Sequence, residues 1–141
     1  MKFSSFKTNL DAEREGVWED IGGGAALLVA RAGNPEHEET IARLERKMRP
    51  QSMAADAELP IPLRQEIAIQ AMVANILLGW RGLLDDDGKE IPYSREKAEE
   101  LLRGARDFRQ LVANLSMERR RFQNELTADT VGNSKLNSIG S

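Results

Sequence analysis

Four places in this chain carry residues that could do chemistry. His37 is the only histidine. A metal or acid-base centre would need a second histidine, a cysteine or a spaced carboxylate beside it, and no such partner is evident. Its position in the first turn of an expected helix is the simpler account. Asp85-Asp86-Asp87-Gly88 resembles part of a calcium loop. Such a loop wants oxygen ligands at positions one, three and five, glycine at six and glutamate at twelve. Setting Gly88 at six puts Leu83 at one and Ser94 at twelve, and both fail. An Asp-Gly turn fits better. Gly22-Gly23-Gly24 could cradle a phosphate, but it has neither a following Lys-Ser/Thr nor the Gly-x-Gly-x-x-Gly spacing. Arg119-Arg120-Arg121 is the one basic cluster. Consecutive residues point different ways on a helix, so a solvated face accounts for them better than a nucleic-acid contact. There is no cysteine, which excludes disulfides and thiol catalysis. These observations predict a protein that is not an enzyme, with no catalytic residues, metal or cofactor.

The 141 residues suit one ordinary domain. A hydrophobic share of 40% allows a core, while 30% charged residues leaves much of the chain exposed. A net charge of −3 gives no general attraction to nucleic acid or anionic lipid. The opening residues lack the apolar run of a signal peptide. The longest apolar run falls short of the roughly 20 residues of a membrane span. The expectation is a soluble, cytoplasmic protein with no nucleic-acid or membrane partner.

The element that must position everything else is the apolar run from Ile67 to Leu78, where only Gln70 and Asn75 are strongly polar. A helix apolar nearly all round has to be surrounded. The predicted fold is mainly α (small α+β): four or so helices around this central one, a short N-terminal β-hairpin and a flexible C-terminal tail. Residues 1–15 read as irregular. The hairpin covers about 17–31 across the three glycines, with Trp18 or Val17 packing on helices. Asn34 and Pro35 start a helix over 35–49, which Pro50 stops. Residues 51–60 are a loop, and the central helix runs 63–78. The segment from Leu83 to Tyr93 is a short hairpin or an extended excursion about the Asp-Gly turn. Ser94 caps a helix over 95–104, and a last helix covers 107–127. Residues 1–127 form one domain, and 128–141, rich in Asn, Ser and Gly, form the tail.

The stretch Gly79-Trp80-Arg81-Gly82-Leu83-Leu84-Asp85-Asp86-Asp87-Gly88-Lys89-Glu90-Ile91-Pro92-Tyr93-Ser94 resembles the hallmark of the tail assembly chaperones of long-tailed (siphovirus-type) phages. In that family an apolar helix leads into Gly-Trp-x-Gly-Val/Leu, then an Asp/Asn-Gly turn, Pro-Phe/Tyr-Ser/Thr and a helix with a Leu-Leu pair, here Leu101-Leu102. The front is similar too, with Glu13 to Trp18 followed by Val29 to Pro35, so the resemblance covers roughly residues 10–125. The three-glycine loop departs from the polar turn expected there. The resemblance implies a helical, non-enzymatic protein that acts in the host cell cytoplasm during virion assembly. It would bind the tape-measure protein, keep it soluble and promote tail-tube assembly around it, and be absent from the mature virion. Such proteins are often also made as a longer frameshifted product that contacts the major tail tube protein. Self-association is compatible with this reading.

A tape measure is a long, largely helical chain whose apolar stripes promote aggregation until they are covered. The partner-binding surface expected here is the exposed side of the last helix, around Leu111, Leu115, Met117 and Phe122, with Trp80 and Tyr93 as a neighbouring aromatic patch. Trp80 has a competing role as a core plug that locks the turn onto the central helix. The rival function is a structural tail or head-completion protein retained in the virion.

Overall fold

A computed structural model describes residues 1–123. It is mainly α with a small sheet, as the sequence predicts. The helices are α1 (Leu10–Glu15), α2 (Pro35–Met48), α3 (Ile61–Asn75), α4 (Arg95–Gly104) and α5 (Arg106–Met117), and short 3-10 turns occupy Phe3–Phe6 and Arg119–Phe122. Strands β1 (Val17–Gly22), β2 (Ala25–Val29) and β3 (Leu77–Arg81) form one antiparallel sheet in the order β1-β2-β3.

Local chemistry explains most boundaries. The Asn34 side chain accepts the His37 N–H, Pro35 takes the first helical position, and Glu36 and Glu38 face the positive end of the α2 dipole. Ser94 accepts the Lys97 N–H and starts α4. Arg49 organises the loop after α2 by donating to the carbonyls of Ala54 and Ala57 at 2.9 and 2.8 Å. That loop closes over a small apolar cluster in which Leu44 of α2 meets Leu59 and Ile67. Residues 1–15 are more ordered than expected, because Asn9 caps α1 by accepting from the Ala12 N–H.

The central helix is shorter than predicted. It stops at Asn75, not 78, and Leu77 to Arg81 turn back as a third strand. A short apolar run is compatible with either state, and here β2 decides. Every residue of β2 except Leu28 is buried, so it needs a neighbour on each side. β3 supplies the second, pairing Leu27 with Trp80 and Leu28 with Gly79. The main core then lies between the inner sheet face and the helices, with Leu27, Val29, Ile76, Leu77, Trp80, Leu102 and Val112 among its members.

The motif Gly79-Trp80-Arg81-Gly82 acquires a role at each position. Trp80 points inward, donating its indole N–H to the Ile91 carbonyl at 2.7 Å and meeting Tyr93 edge-on with centroids 4.8 Å apart. On the outer face Trp18 lies across Gly79, where a Cβ would sit 3.8 Å from the ring. Arg81 stacks on the same ring, 4.3 Å from its centroid. Trp18 therefore covers the outer sheet face; the expectation that it packs on helices is corrected. Gly82 has φ +75°, and a Cβ there would lie 2.2 Å from the Gly24 carbonyl oxygen. The three-glycine turn and the motif's second glycine are thus two halves of one close backbone approach.

The last helix also ends early, at Met117, not 127; residues 124–127 and the predicted tail lie outside the described residues. Ser116 turns its hydroxyl onto the Ala113 carbonyl at 2.6 Å, and its own carbonyl accepts from the Ala32 N–H at 2.9 Å. Side-chain back-bonding of this kind bends or ends helices. The following 3-10 turn drives Arg121 and Phe122 inward. Phe122 is fully buried. The Arg121 side chain is only 4% exposed and pairs with Glu19 at 3.1 Å. It also donates to the carbonyls of Leu115 at 2.6 Å and Val17 at 2.8 Å. The solvated-face reading fails for Arg121, because carbonyls from the sheet and from the negative end of α5 converge on it.

Two stability predictions follow from these contacts. Gly82→Ala should destabilise by at least about 2 kcal/mol, through both the positive φ and the backbone clash. Gly88→Ala, at φ +80° with open space, should cost only about 1 kcal/mol. Arg121→Met should cost about 3 kcal/mol, since it leaves buried acceptors and Glu19 without their donor. Arg120→Met, at an exposed site, should stay within about 0.5 kcal/mol. Urea unfolding midpoints measure all four.

Candidate interaction surface

The chemistry-bearing residues are occupied by structural work. In His37, Nδ1 accepts the Gly33 N–H at 3.0 Å. Asp85 accepts from the N–H groups of Asp87 and Lys89, both at 2.9 Å, and Leu84 bridges to Glu90, so the acidic segment closes a tight turn. Among the described residues no cluster of three or more His, Asp or Glu side chains could hold a metal. No helix there is long and apolar enough to cross a membrane.

The clefts are shallow. One of about 310 Å³ is lined by Pro62, Glu66, Ile69, Arg103 and Arg109. Its charged groups satisfy each other: Arg103 grips Glu66 with two bonds of 2.6 Å, and Gln70 donates to the same carboxylate. The hydrogen bond from Arg103 is the main reason the Glu66 carboxyl is held down at about 2. This pair fastens α3 to α4 rather than offering a free charge. A second cleft, of about 350 Å³, lies on the outer sheet face between Trp18, Asp20, Ala26 and Arg81.

The six residues expected to bind a partner separate by burial. Trp80, Leu115 and Phe122 are buried, and they belong to the interior. Leu111 and Tyr93 pack against the main core from partly buried positions, and the Tyr93 hydroxyl donates to the Leu77 carbonyl at 2.8 Å. Burial raises the pKa of that phenol, with Arg95 opposing. Only Met117 stands out in solvent, 68% exposed. The continuous exposed stripe on the last helix is therefore corrected: the inward turn after Met117 takes Phe122 into the core, and Trp80 points from β3 into the core beneath Ile91 and Tyr93.

A different apolar surface takes its place. Phe3, Phe6 and Leu10 are 76%, 58% and 69% exposed. Phe3 and Phe6 share the 3-10 turn, with ring centroids 6.4 Å apart, and Leu10 opens α1 beyond the extended residues 7–9. The segment is fastened to the body, not loose. The Asn9 N–H donates to the Phe122 carbonyl at 2.6 Å, and Arg119 donates to the Ser5 carbonyl at 2.9 Å while lying over the Phe6 ring. Thr8 and Arg31 both donate to Glu13, whose backbone carbonyl accepts from the Arg31 N–H. The sequence signal was present in Phe3 and Phe6, but nothing local shows that the segment docks on residues 119–122.

The family described as YdaY prophage protein matches residues 32–133. That span is most of the chain. The protein belongs to the YdaY prophage protein family. No curated protein and no solved structure matches it. The phage origin expected from the sequence therefore stands. The YdaY match takes in α2 through α5 and β3, but not the Phe3–Phe6–Leu10 segment or the first two strands.

Burial lowers the pKa of His37 below its ordinary 6.5, with Glu38 partly opposing. The unfolded chain then binds the proton more readily than the folded one. His37 contributes full stability above pH 6.5, and that contribution is lost as pH falls towards its lower folded value. The urea midpoint should fall between pH 7 and 5.5, and His37→Gln should flatten that slope.

Proposed function

We propose that this YdaY-family protein is a phage tail assembly chaperone: a non-enzymatic protein that binds the tape-measure protein in the host cytoplasm, keeps it soluble and promotes tail-tube assembly around it. The observation that carries this reading is the ordered segment from Gly79 to Ser94. Its glycines, tryptophan, acidic turn, tyrosine and capping serine act together as one folded unit, so the residues that carry the resemblance are linked to one another in space and are not scattered letters. The phage origin of the family supports it.

The exposed apolar segment gives the reading a physical means. Large apolar side chains held out in solvent on a fastened segment are typical of partner surfaces, and an apolar stripe on a helical tape measure is a suitable complement. Several copies along one tape measure would add avidity. A longer frameshifted product would bring the major tail tube protein to the same complex.

Co-expression with the tape-measure protein of the same prophage tests this. The tape measure should be soluble only with this protein and should co-purify with it, and mass spectrometry of purified virions should not find it. A tape measure that stays insoluble and binds nothing, together with this protein in the virion, would establish the retained structural role instead.

A further inference from the structure

The Phe3–Phe6–Leu10 segment is flanked by cations at its Phe3–Phe6 end. Lys2 and Lys7 lie within it in sequence, and no acidic residue occurs before Asp11. The 3-10 turn fastened against it brings Arg119 and Arg120, both exposed. Arg119 reaches the segment directly, through Ser5 and the Phe6 ring. None of these four cations pairs with a carboxylate among the described residues, whereas Arg121 of the same cluster is paired with Glu19. The chain as a whole is acidic, so this patch is a local inversion of sign around the two most exposed aromatic side chains among the described residues.

We propose that this surface docks an amphipathic helix whose apolar stripe is flanked by carboxylates. The inference rests on the reading that the protein binds a helical chain, and it adds the chemistry that chain must carry at this contact. The phenyl rings, with centroids 6.4 Å apart, provide the apolar contact. The cations select against basic partners and steer acidic ones. A second copy of this chain is a poor occupant, because patch against patch sets cation against cation. An anionic membrane is also disfavoured. Asp11 and Glu15 are exposed in α1, which Leu10 opens, and a flat anionic surface would meet them, whereas a single helix need cover only the Phe3–Phe6 pair.

The test uses the full chain and two labelled helical peptides of about five turns with identical leucine stripes, one flanked by Glu and one by Lys. Fluorescence anisotropy should show the Glu peptide binding at least about tenfold more tightly. Phe3→Ser/Phe6→Ser should weaken it at least about tenfold, and Lys7→Gln/Arg120→Gln should reduce its salt dependence. Urea midpoints of these exposed-site variants should match the parent, showing that the fold persists. Equal binding of both peptides overturns the proposal. So does binding that Phe3→Ser/Phe6→Ser leaves intact, pelleting with phosphatidylglycerol vesicles in place of peptide binding, or a dimer that the same variant dissociates with no peptide bound. Co-expression of Phe3→Ser/Phe6→Ser with the tape measure separates the two readings. A tape measure still soluble and co-purifying would refute this docking site while leaving the assembly role in place.

Discussion

The fold depends on what happens at Arg121. One guanidinium reaches the carbonyls of β1 and of the last turn of α5, and it pairs with Glu19 on the inner sheet face. Removing such a cation from water is costly unless nearly every donor finds an acceptor. Here the acceptors are backbone groups at element ends, which would otherwise lack partners themselves. The helix layer and the sheet are therefore joined by a polar clasp as well as by apolar packing. Phe122, next in the chain, fills the space behind the clasp, and its carbonyl holds the N-terminal segment. The exposed aromatic pair is presented only because that arrangement holds its base.

Much of the architecture was legible because it is written locally. Asn34-Pro35, Ser94 and the glycine turn carry their own stereochemical instructions, and those elements start or turn at the expected residues. What was illegible depends on distant partners. Leu77 to Trp80 are as suitable for a helix as for a strand until β2 is seen to lack a neighbour. Arg121 reads as a surface charge until Glu19 and the carbonyls of Leu115, Val17 and Val29 are brought to it, from as far as 104 residues away. The candidate surface failed for the same reason. A helical stripe drawn through Phe122 assumed that α5 continues to 127, and it ends ten residues earlier, just after the Ser116 hydroxyl has bonded back to the Ala113 carbonyl.

The motif that pointed to a phage assembly role turns out to be a set of packing instructions. Gly79 lies beneath the Trp18 ring, Trp80 plugs the core, Arg81 backs Trp18 and Gly82 admits the Gly24 carbonyl. Such a motif identifies a shape more than a contact. Partner specificity is therefore to be sought in positions the motif does not contain.

The long span of the Arg121 clasp also sets an order of events during synthesis. The β1-β2 hairpin is complete early in translation, but its inner face cannot be closed until residues 121 and 122 have left the ribosome. Up to that point the sheet is a nascent surface with apolar side chains uncovered, exposed to whatever else is present. Residues 121 and 122 thus close this face only after every strand and helix that packs on it has been made.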